Sequence, residues 1–270
     1  MPELPEVETS RRGIAPHIEG ATVSSVIIRE RRLRWPVSRS IDRELPGATV
    51  MSVGRRAKYL LINTTAGTVI LHLGMSGSVT IVDKGTPAGV HDHVDIEFDS
   101  GRALRFRDPR RFGSLHWSAS PLEHSLIKDL GPEPLSKEFD GHYLRGRSRG
   151  RRVAIKQFIM NAGIVVGVGN IYASESLFIA GIHPKRAAGR IALHRYENLS
   201  SAIKDVLERA IKAGGTTLRD FYGGDGEAGY FQQQLQVYDR ADESCRVCAA
   251  PITAIVQGQR STYYCRKCQT

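Results

Sequence analysis

Gly131-Pro132-Glu133-Pro134 divides this 270-residue chain into two parts of different character. Two prolines in four residues remove two backbone donors and fix two φ angles, so the stretch reads as a stiff linker and a domain boundary. On its N-terminal side, from residue 22 to about 107, short apolar runs alternate with turns. Val23, Val26, Ile27 and Ile28 lie in one segment. Tyr59-Leu60-Leu61-Ile62 leads through a turn near Ala66-Gly67 to Val69-Ile70-Leu71, and Val79, Ile81 and Val82 follow a second glycine-rich turn. Val94, Ile96 and Phe98 alternate with charged residues, the pattern of a half-buried strand. Asp99-Ser100-Gly101 then turns the chain into Ala103-Leu104-Arg105-Phe106. Strands in such succession predict a sandwich or a barrel.

Helical patterns dominate on the C-terminal side. Ser136 is a candidate helix cap. Further helices are expected over about 151–160, over 171–180 with a stop at Gly181, and over about 193–213 with a stop at Gly214-Gly215. The glycine-rich stretch 223–229 is expected to be mobile. The chain then closes in a cysteine module, giving three expected segments: 1–131, 132–235 and 236–270.

The four cysteines, Cys245, Cys248, Cys265 and Cys268, follow the pattern C-x2-C-x16-C-x2-C. Each C-x2-C knuckle aims two thiolates at one point, and two knuckles complete a tetrahedron around zinc. Two disulfides are the alternative, disfavoured in a reducing compartment. Four cysteines leave no open coordination position, so the metal is expected to be structural.

Composition narrows the function. The formal charge is +10, which suits a polyanionic partner, most simply nucleic acid. No apolar run approaches the roughly 20 residues a membrane-spanning helix needs. The polar, proline-punctuated start lacks the apolar core of a signal peptide, so a cytoplasmic protein is expected; it is also expected to be a monomer.

That start, Met1-Pro2-Glu3-Leu4-Pro5-Glu6-Val7-Glu8, has two readings. It can be an acidic leader, or the head of a helix that Pro5 and Glu6 open and that runs to about residue 18. If Met1 is removed, Pro2 presents a secondary amine. An α-amino group has a reference pKa of about 7.7–8.0, so a useful fraction is neutral near pH 7 and able to attack an aldehyde-like carbon. Glu3 places a carboxyl group beside it.

Three further stretches carry candidate chemistry. Gly167-Val168-Gly169-Asn170-Ile171-Tyr172-Ala173-Ser174-Glu175 sits between two helices, and the second helix begins with free N–H groups suited to a phosphate. It does not follow a strand, so it is no dinucleotide fingerprint. Arg105-Phe106-Arg107-Asp108-Pro109-Arg110-Arg111-Phe112-Gly113 interleaves aromatics and arginines, as a loop does that wedges between bases while neutralising phosphates. A solvated basic loop with one core aromatic is the alternative. Residues 145–156 carry Arg145, Arg147, Arg149, Arg151, Arg152 and Lys156, read as a phosphate-facing run, with a merely solvated face as the alternative. In Leu73-Gly74-Met75-Ser76-Gly77 the methionine alone reads as a core gap-filler.

Together these motifs are specific. The Pro2-to-Glu8 start, Arg55-Arg56-Ala57-Lys58-Tyr59-Leu60, His72-Leu73-Gly74-Met75-Ser76-Gly77, Asp108-Pro109-Arg110-Arg111-Phe112-Gly113, the 167–175 run and the four cysteines occur in one order. In that combination the chain resembles the bacterial formamidopyrimidine-DNA glycosylases, the 8-oxoguanine repair enzymes, over essentially its whole length. The resemblance implies an α+β protein: an N-terminal antiparallel β-sandwich with flanking helices, then a helix–two-turn–helix domain with a four-cysteine zinc finger, and damaged double-stranded DNA bound between them. It implies Pro2 as the nucleophile at C1′, Glu3 as acid and base, and Lys58 as a proton donor in β-elimination. Met75, Arg110 and Phe112 would fill the gap left by the flipped nucleotide. Asn170 and Arg260 would clamp phosphates, Arg260 also serving δ-elimination, and His91, Arg151 and Lys156 would contact DNA. Cys245, Cys248, Cys265 and Cys268 would hold one structural zinc ion. One stretch departs from the pattern: Phe158-Ile159-Met160-Asn161-Ala162-Gly163 has Asn161 where an aspartate is expected. The sister family, endonuclease VIII, uses the same amine chemistry on oxidised pyrimidines and is the nearest rival; a zinc-dependent DNA-binding protein without catalysis is the second.

Overall fold

The computed structural model describes residues 2–215 and 234–270. They form two compact units, one comprising the residues through Lys128 with 213–215 and the other Asp129–Lys212 with the residues from 234 onward. The expected mobile stretch 223–229 lies outside the described residues.

The first unit begins with α1 (Leu4–Ile18), β1 (Val23–Ile28), α2 (Arg39–Glu44), β2 (Val50–Arg56), β3 (Tyr59–Thr64) and β4 (Thr68–His72). It continues with β5 (Ser78–Asp83), β6 (Asp92–Phe98), β7 (Arg102–Arg107) and β8 (Ser114–Ser118). These strands build two four-stranded antiparallel sheets, ordered β1-β6-β7-β5 and β2-β3-β4-β8. The two-residue side-chain period of a strand explains the core. In β3, Leu60 and Ile62 are buried while their neighbours are partly exposed. Both join Val69 and Leu71 of β4, Val94, Ile96 and Phe98 of β6, Leu104 and Phe106 of β7, and Val7, Ile14 and Ile18 of α1 in one cluster. Each such buried side chain contributes roughly 1.5–3 kcal/mol relative to exposure.

α1 is also fixed by charge. Its Glu8 carboxylate receives Arg11 at 2.9 Å and Arg12 at 2.9 Å from the helix, and Arg55 of β2 at 3.2 Å. Burial opposes ionisation there, but these arginines hold the Glu8 carboxyl below its ordinary range.

The second unit contains α3 (Gly141–Ser148), α4 (Ile155–Ile159), α5 (Asn170–Ile179), α6 (Leu193–Lys212), β9 (Ile252–Gln257) and β10 (Arg260–Cys265). The expected helix over 151–160 is shorter than its pattern. Ala154 pairs with Ala187 and the Ile155 N–H donates to the Arg186 carbonyl at 2.8 Å, so the chain arrives extended. Ser136 caps no helix; α3 is capped by Asp140, whose carboxylate accepts from the Tyr143 N–H at 2.7 Å. At the departure noted above, Asn161 turns the chain: its side-chain oxygen accepts from the Gly163 N–H at 2.9 Å and its carbonyl from the Ile164 N–H at 2.8 Å.

Candidate active site

Pro2 and Glu3 are both buried, at the head of a regular helix. The reading of this start as an acidic leader therefore fails. Glu3 is the N-cap of α1, and its N–H donates to the Glu6 carboxylate at 2.8 Å in a capping box. The two carboxylates beside Pro2 are thus fixed by the helix start itself.

Lys58 stands in the two-residue turn Ala57-Lys58 between β2 and β3, where Arg56 pairs with Tyr59. Ala57 holds φ at +55°, a left-handed conformation that costs an L-residue about 1–2 kcal/mol. Lys58 is half-buried. Tyr59 faces His72 across the β3–β4 pair, with ring centroids 4.9 Å apart. The His72 Nδ1 accepts from the Gly74 N–H at 3.0 Å, which requires an unprotonated Nδ1. Burial first, then the charges of Lys58 and Arg34, push His72 down to about 4. A neutral imidazole therefore organises the loop that carries Met75.

Met75 is exposed on that loop, and so are Arg110, Arg111 and Phe112 on the loop between β7 and β8. The loops interlock through two glycines. A Cβ on Gly74, whose φ is +68°, would stand 2.4 Å from the Gly113 nitrogen; one on Gly113 would stand 2.6 Å from the Phe106 ring. Asp108 ties them from beneath. Its fully buried carboxylate accepts from the Ser76 hydroxyl at 3.1 Å and from the Gly113 N–H at 2.7 Å. The Arg110 guanidinium lies 5.0 Å from the Phe112 ring centre. The carbonyl of half-exposed His91 accepts from the Asp108 N–H at 3.0 Å, placing His91 at the foot of the same loop.

The basic run 105–113 is thus not one loop. Arg105 belongs to β7 and is buried, paired with Asp95 of β6 at 2.9 and 2.8 Å, and donates to the carbonyls of Thr86 and Pro87. It faces no solvent, whereas residues 110–112 do.

In the second unit, Asn170 opens α5 after Gly167, whose φ of +78° makes the turn. The Lys156 ammonium lies beneath it. Lys156 is 1% exposed, and its Nζ donates to the Asn170 side-chain oxygen at 2.7 Å, the Thr262 hydroxyl at 2.7 Å and the Ser261 carbonyl at 3.2 Å. The run 145–156 therefore divides: Arg147, Arg149, Arg151 and Arg152 are exposed, and Lys156 is not. The Asn170 amide nitrogen also donates to the Ser261 carbonyl at 2.9 Å. Lys156 and Asn170 together clamp the β9–β10 hairpin, whose two-residue turn Gly258-Gln259 has φ +56° and +59°, a left-handed pair that matches strand twist. Arg260 follows it, exposed.

The same hairpin carries Cys265. Its sulfur lies 3.4 Å from that of Cys248, the Cys245 and Cys268 sulfurs are 3.9 Å apart, and all four fall within 4.8 Å of one another. A tetrahedron with metal–sulfur bonds of about 2.3 Å needs sulfurs about 3.8 Å apart, so the four thiols fit zinc.

Comparison with known proteins agrees with this geometry. The chain matches the N-terminal domain of formamidopyrimidine-DNA glycosylase over residues 1–115, that family's H2TH domain over 130–222, and the zinc finger found in FPG and IleRS over 242–270. It is 59% identical over 269 residues to the formamidopyrimidine-DNA glycosylase of Pseudomonas aeruginosa (strain LESB58), covering 100% of both chains. The chain belongs to the formamidopyrimidine-DNA glycosylase family. It is also 58% identical over 270 residues to the Nitrosococcus oceani enzyme of that name, again over 100% of both. Among solved structures, that of a Lactococcus lactis enzyme mutant in complex with Fapy-dG-containing DNA has a TM-score of 0.92, with 33% identity over 99% of both chains. A Lactococcus lactis complex with abasic-site DNA has a TM-score of 0.91 at the same identity and coverage. The protein is accordingly a base-excision repair glycosylase of oxidised purines and an abasic-site lyase, and its four cysteines hold one structural zinc ion. No helix among the described residues is long and apolar enough to cross a membrane.

Two motif residues of this glycosylase, His72 and Glu175, hold neighbouring backbone in place. His72 organises the Met75 loop, as described. Glu175 closes the 167–175 run, buried, and its carboxylate accepts from the N–H groups of Gln236 at 2.8 Å, Val237 at 3.0 Å and Tyr238 at 2.9 Å. Burial pushes Glu175 up, against the lowering effect of those donors. A carboxylate followed 61 residues later by its partners leaves no local signal in sequence.

Proposed function

We propose that Pro2, with Met1 removed, supplies the nucleophile of the reaction. Its amine nitrogen bonds to C1′ of the damaged nucleotide as the glycosidic bond breaks, and the bonding pair leaves with the base. Glu3 delivers the accompanying proton and later accepts one. The observation that carries this reading is the burial of Pro2 and Glu3 at a capped helix start, in a chain that matches the family from end to end.

The product of that step is an aminal at C1′; the C1′–O4′ bond then breaks, its pair and a proton going to O4′, and leaves an iminium at C1′, an electron sink that acidifies the 2′ proton. Loss of that proton expels the 3′ phosphate, and a second elimination expels the 5′ phosphate. Lys58 donates a proton in the first elimination, and Arg260 serves the second. The target base is out of reach inside a duplex, so it must be extruded at a cost of a few kcal/mol. Met75, Arg110 and Phe112 offset that loss by filling the gap, and Arg110 bonds the widowed base. Their exposure on two interlocked loops supports that role.

Asn170, Arg260, His91 and Arg151 hold phosphates of the damaged strand or its surroundings. Lys156 acts on DNA through Asn170 and the β9–β10 hairpin rather than by its own contact, as its burial favours. The partner is duplex DNA with oxidised purines or abasic sites, bound by a cytoplasmic monomer. As working modules we take 1–131 as catalytic, 132–235 as helical and DNA-binding, and 236–270 as the zinc finger.

Borohydride trapping tests the lyase. A reduced covalent adduct should form on duplexes with 8-oxoguanine opposite cytosine, and none with protein extended at its N-terminus, where the Pro2 nitrogen is an amide. A preference for thymine glycol over 8-oxoguanine would overturn the oxidised-purine substrate; no adduct with the processed protein would remove the amine mechanism.

A further inference from the structure

The stretch Arg29-Glu30-Arg31-Arg32-Leu33-Arg34-Trp35 holds four arginines in seven residues. Three of them are spent on carboxylates. Arg29 reaches Asp95 at 2.6 Å, Arg31 pairs with Asp42, and Arg32 reaches Glu30 at 2.9 Å. Arg111 of the neighbouring loop also turns to Glu30, at 3.3 Å. Arg34 differs. It is exposed, and among the described residues its guanidinium meets no carboxylate. It lies 5.1 Å from the centre of the Trp35 ring, a cation–π contact that restrains the planar fork.

Its backbone fixes where that fork stands. The Arg34 N–H donates to the Gly113 carbonyl at 3.2 Å, so the residue is registered directly to the end of the loop that carries Arg110 and Phe112. Its charge also reaches His72, which leads into the Met75 loop. An uncompensated arginine therefore stands beside both loops that enter the duplex, while the other cations of its own segment are neutralised.

We propose that Arg34 binds a backbone phosphate of the DNA next to the lesion, with Trp35 as its platform. This rests on the reading that the Met75 and 110–112 loops enter damaged DNA. Phosphate, rather than base, is the partner the chemistry favours: the guanidinium fork matches two phosphate oxygens, and such contacts fix register without reading sequence.

The test is the salt dependence of binding to a duplex with a stable tetrahydrofuran abasic analogue, for intact zinc-loaded protein. Each neutralised phosphate contributes about 0.9 to the slope of log affinity against log salt. Arg34→Gln should lower the slope by about that amount and weaken binding roughly 3- to 10-fold at moderate salt. Arg34→Lys should restore the slope, since it keeps the charge. Arg32→Gln should leave the slope as it is, because Glu30 already neutralises that residue. A wild-type slope in Arg34→Gln would overturn the proposal, and so would a slope equally reduced in Arg34→Lys, which would assign the loss to the Trp35 contact. Failure of the wild-type protein to prefer the abasic duplex over undamaged DNA would instead overturn the reading beneath it, a result separable from any Arg34 effect.

Discussion

Two hairpins of this protein each end in a two-residue turn beside a cation, and they are held in opposite ways. The Ala57-Lys58 turn belongs to a four-stranded sheet, backed by Leu60, Ile62 and the rest of the sandwich core. The Gly258-Gln259 turn, next to Arg260, belongs to a two-stranded hairpin with little core of its own. An isolated two-stranded hairpin is marginal in water. What replaces the missing core is polar: the four-cysteine zinc site at one end and the Lys156 ammonium beneath Asn170, Ser261 and Thr262 at the other. Hydrophobic packing places one cation, and a metal and a buried charge place the other.

The largest effect that can break this comparison comes from the metal. Structural zinc is worth about 10–16 kcal/mol in isolated fingers, so Cys248→Ser should weaken binding of abasic-site DNA on the order of 100-fold or more. The sandwich, which carries both tryptophans, Trp35 and Trp117, should keep its unfolding midpoint by tryptophan fluorescence. Normal zinc content and normal binding in this variant would remove the claim that the metal positions Arg260.

Next comes the buried lysine. Lys156→Met removes this donor from the Asn170 side-chain oxygen and the Thr262 hydroxyl, while the Ser261 carbonyl keeps the Asn170 amide, at a cost of about 2–6 kcal/mol, since each unsatisfied buried group costs about 1–3. The loss should appear in the helical unit, read by circular dichroism at the helix band, together with faster zinc release to a chelator. An unchanged variant would mean that the hairpin docks without the lysine.

The smallest effect sharpens the other side. His72 is neutral in the folded protein down to about pH 4, whereas the unfolded chain takes up a proton near 6.5. Its contribution is present above pH 6.5 and is lost as pH falls towards 4, a loss of about 2 kcal/mol between pH 7 and pH 5. His72→Gln, which keeps an acceptor for the Gly74 N–H, should flatten that part of the stability curve measured by urea unfolding. An equal slope in both proteins would show that His72 carries none of it.

Much of the fold is legible in the residues, and the exceptions share a cause. Strong local patterns such as the long amphipathic α6 and the C-x2-C knuckles correspond to what forms, whereas the alternation in β6 marks a strand that is not half-buried: its charged residues are buried too, Asp95 by pairing with Arg29 and Arg105. α2 went unread because its six residues bury only Ile41, too little for a periodic signal. Ser136 and Asp140 are both good caps, and only the packing of α3 chooses between them. Lys156 sits in a run of arginines, and no local feature distinguishes the one that a hairpin about 105 residues away will bury. Arg105 is likewise claimed by Asp95 through sheet register. Within the candidate site, motif residues are visible because their chemistry is local; the residues that position them act across the fold and are not.

The central claim is that the reacting amine belongs to Pro2 and not to a lysine. The direct measurement is mass-spectrometric mapping of the borohydride-reduced adduct with 8-oxoguanine duplex after tryptic digestion. The sugar remnant should reside on the peptide of residues 2–11, at the Pro2 nitrogen. A remnant on a peptide containing Lys58 or Lys156, with residues 2–11 unmodified, would contradict it.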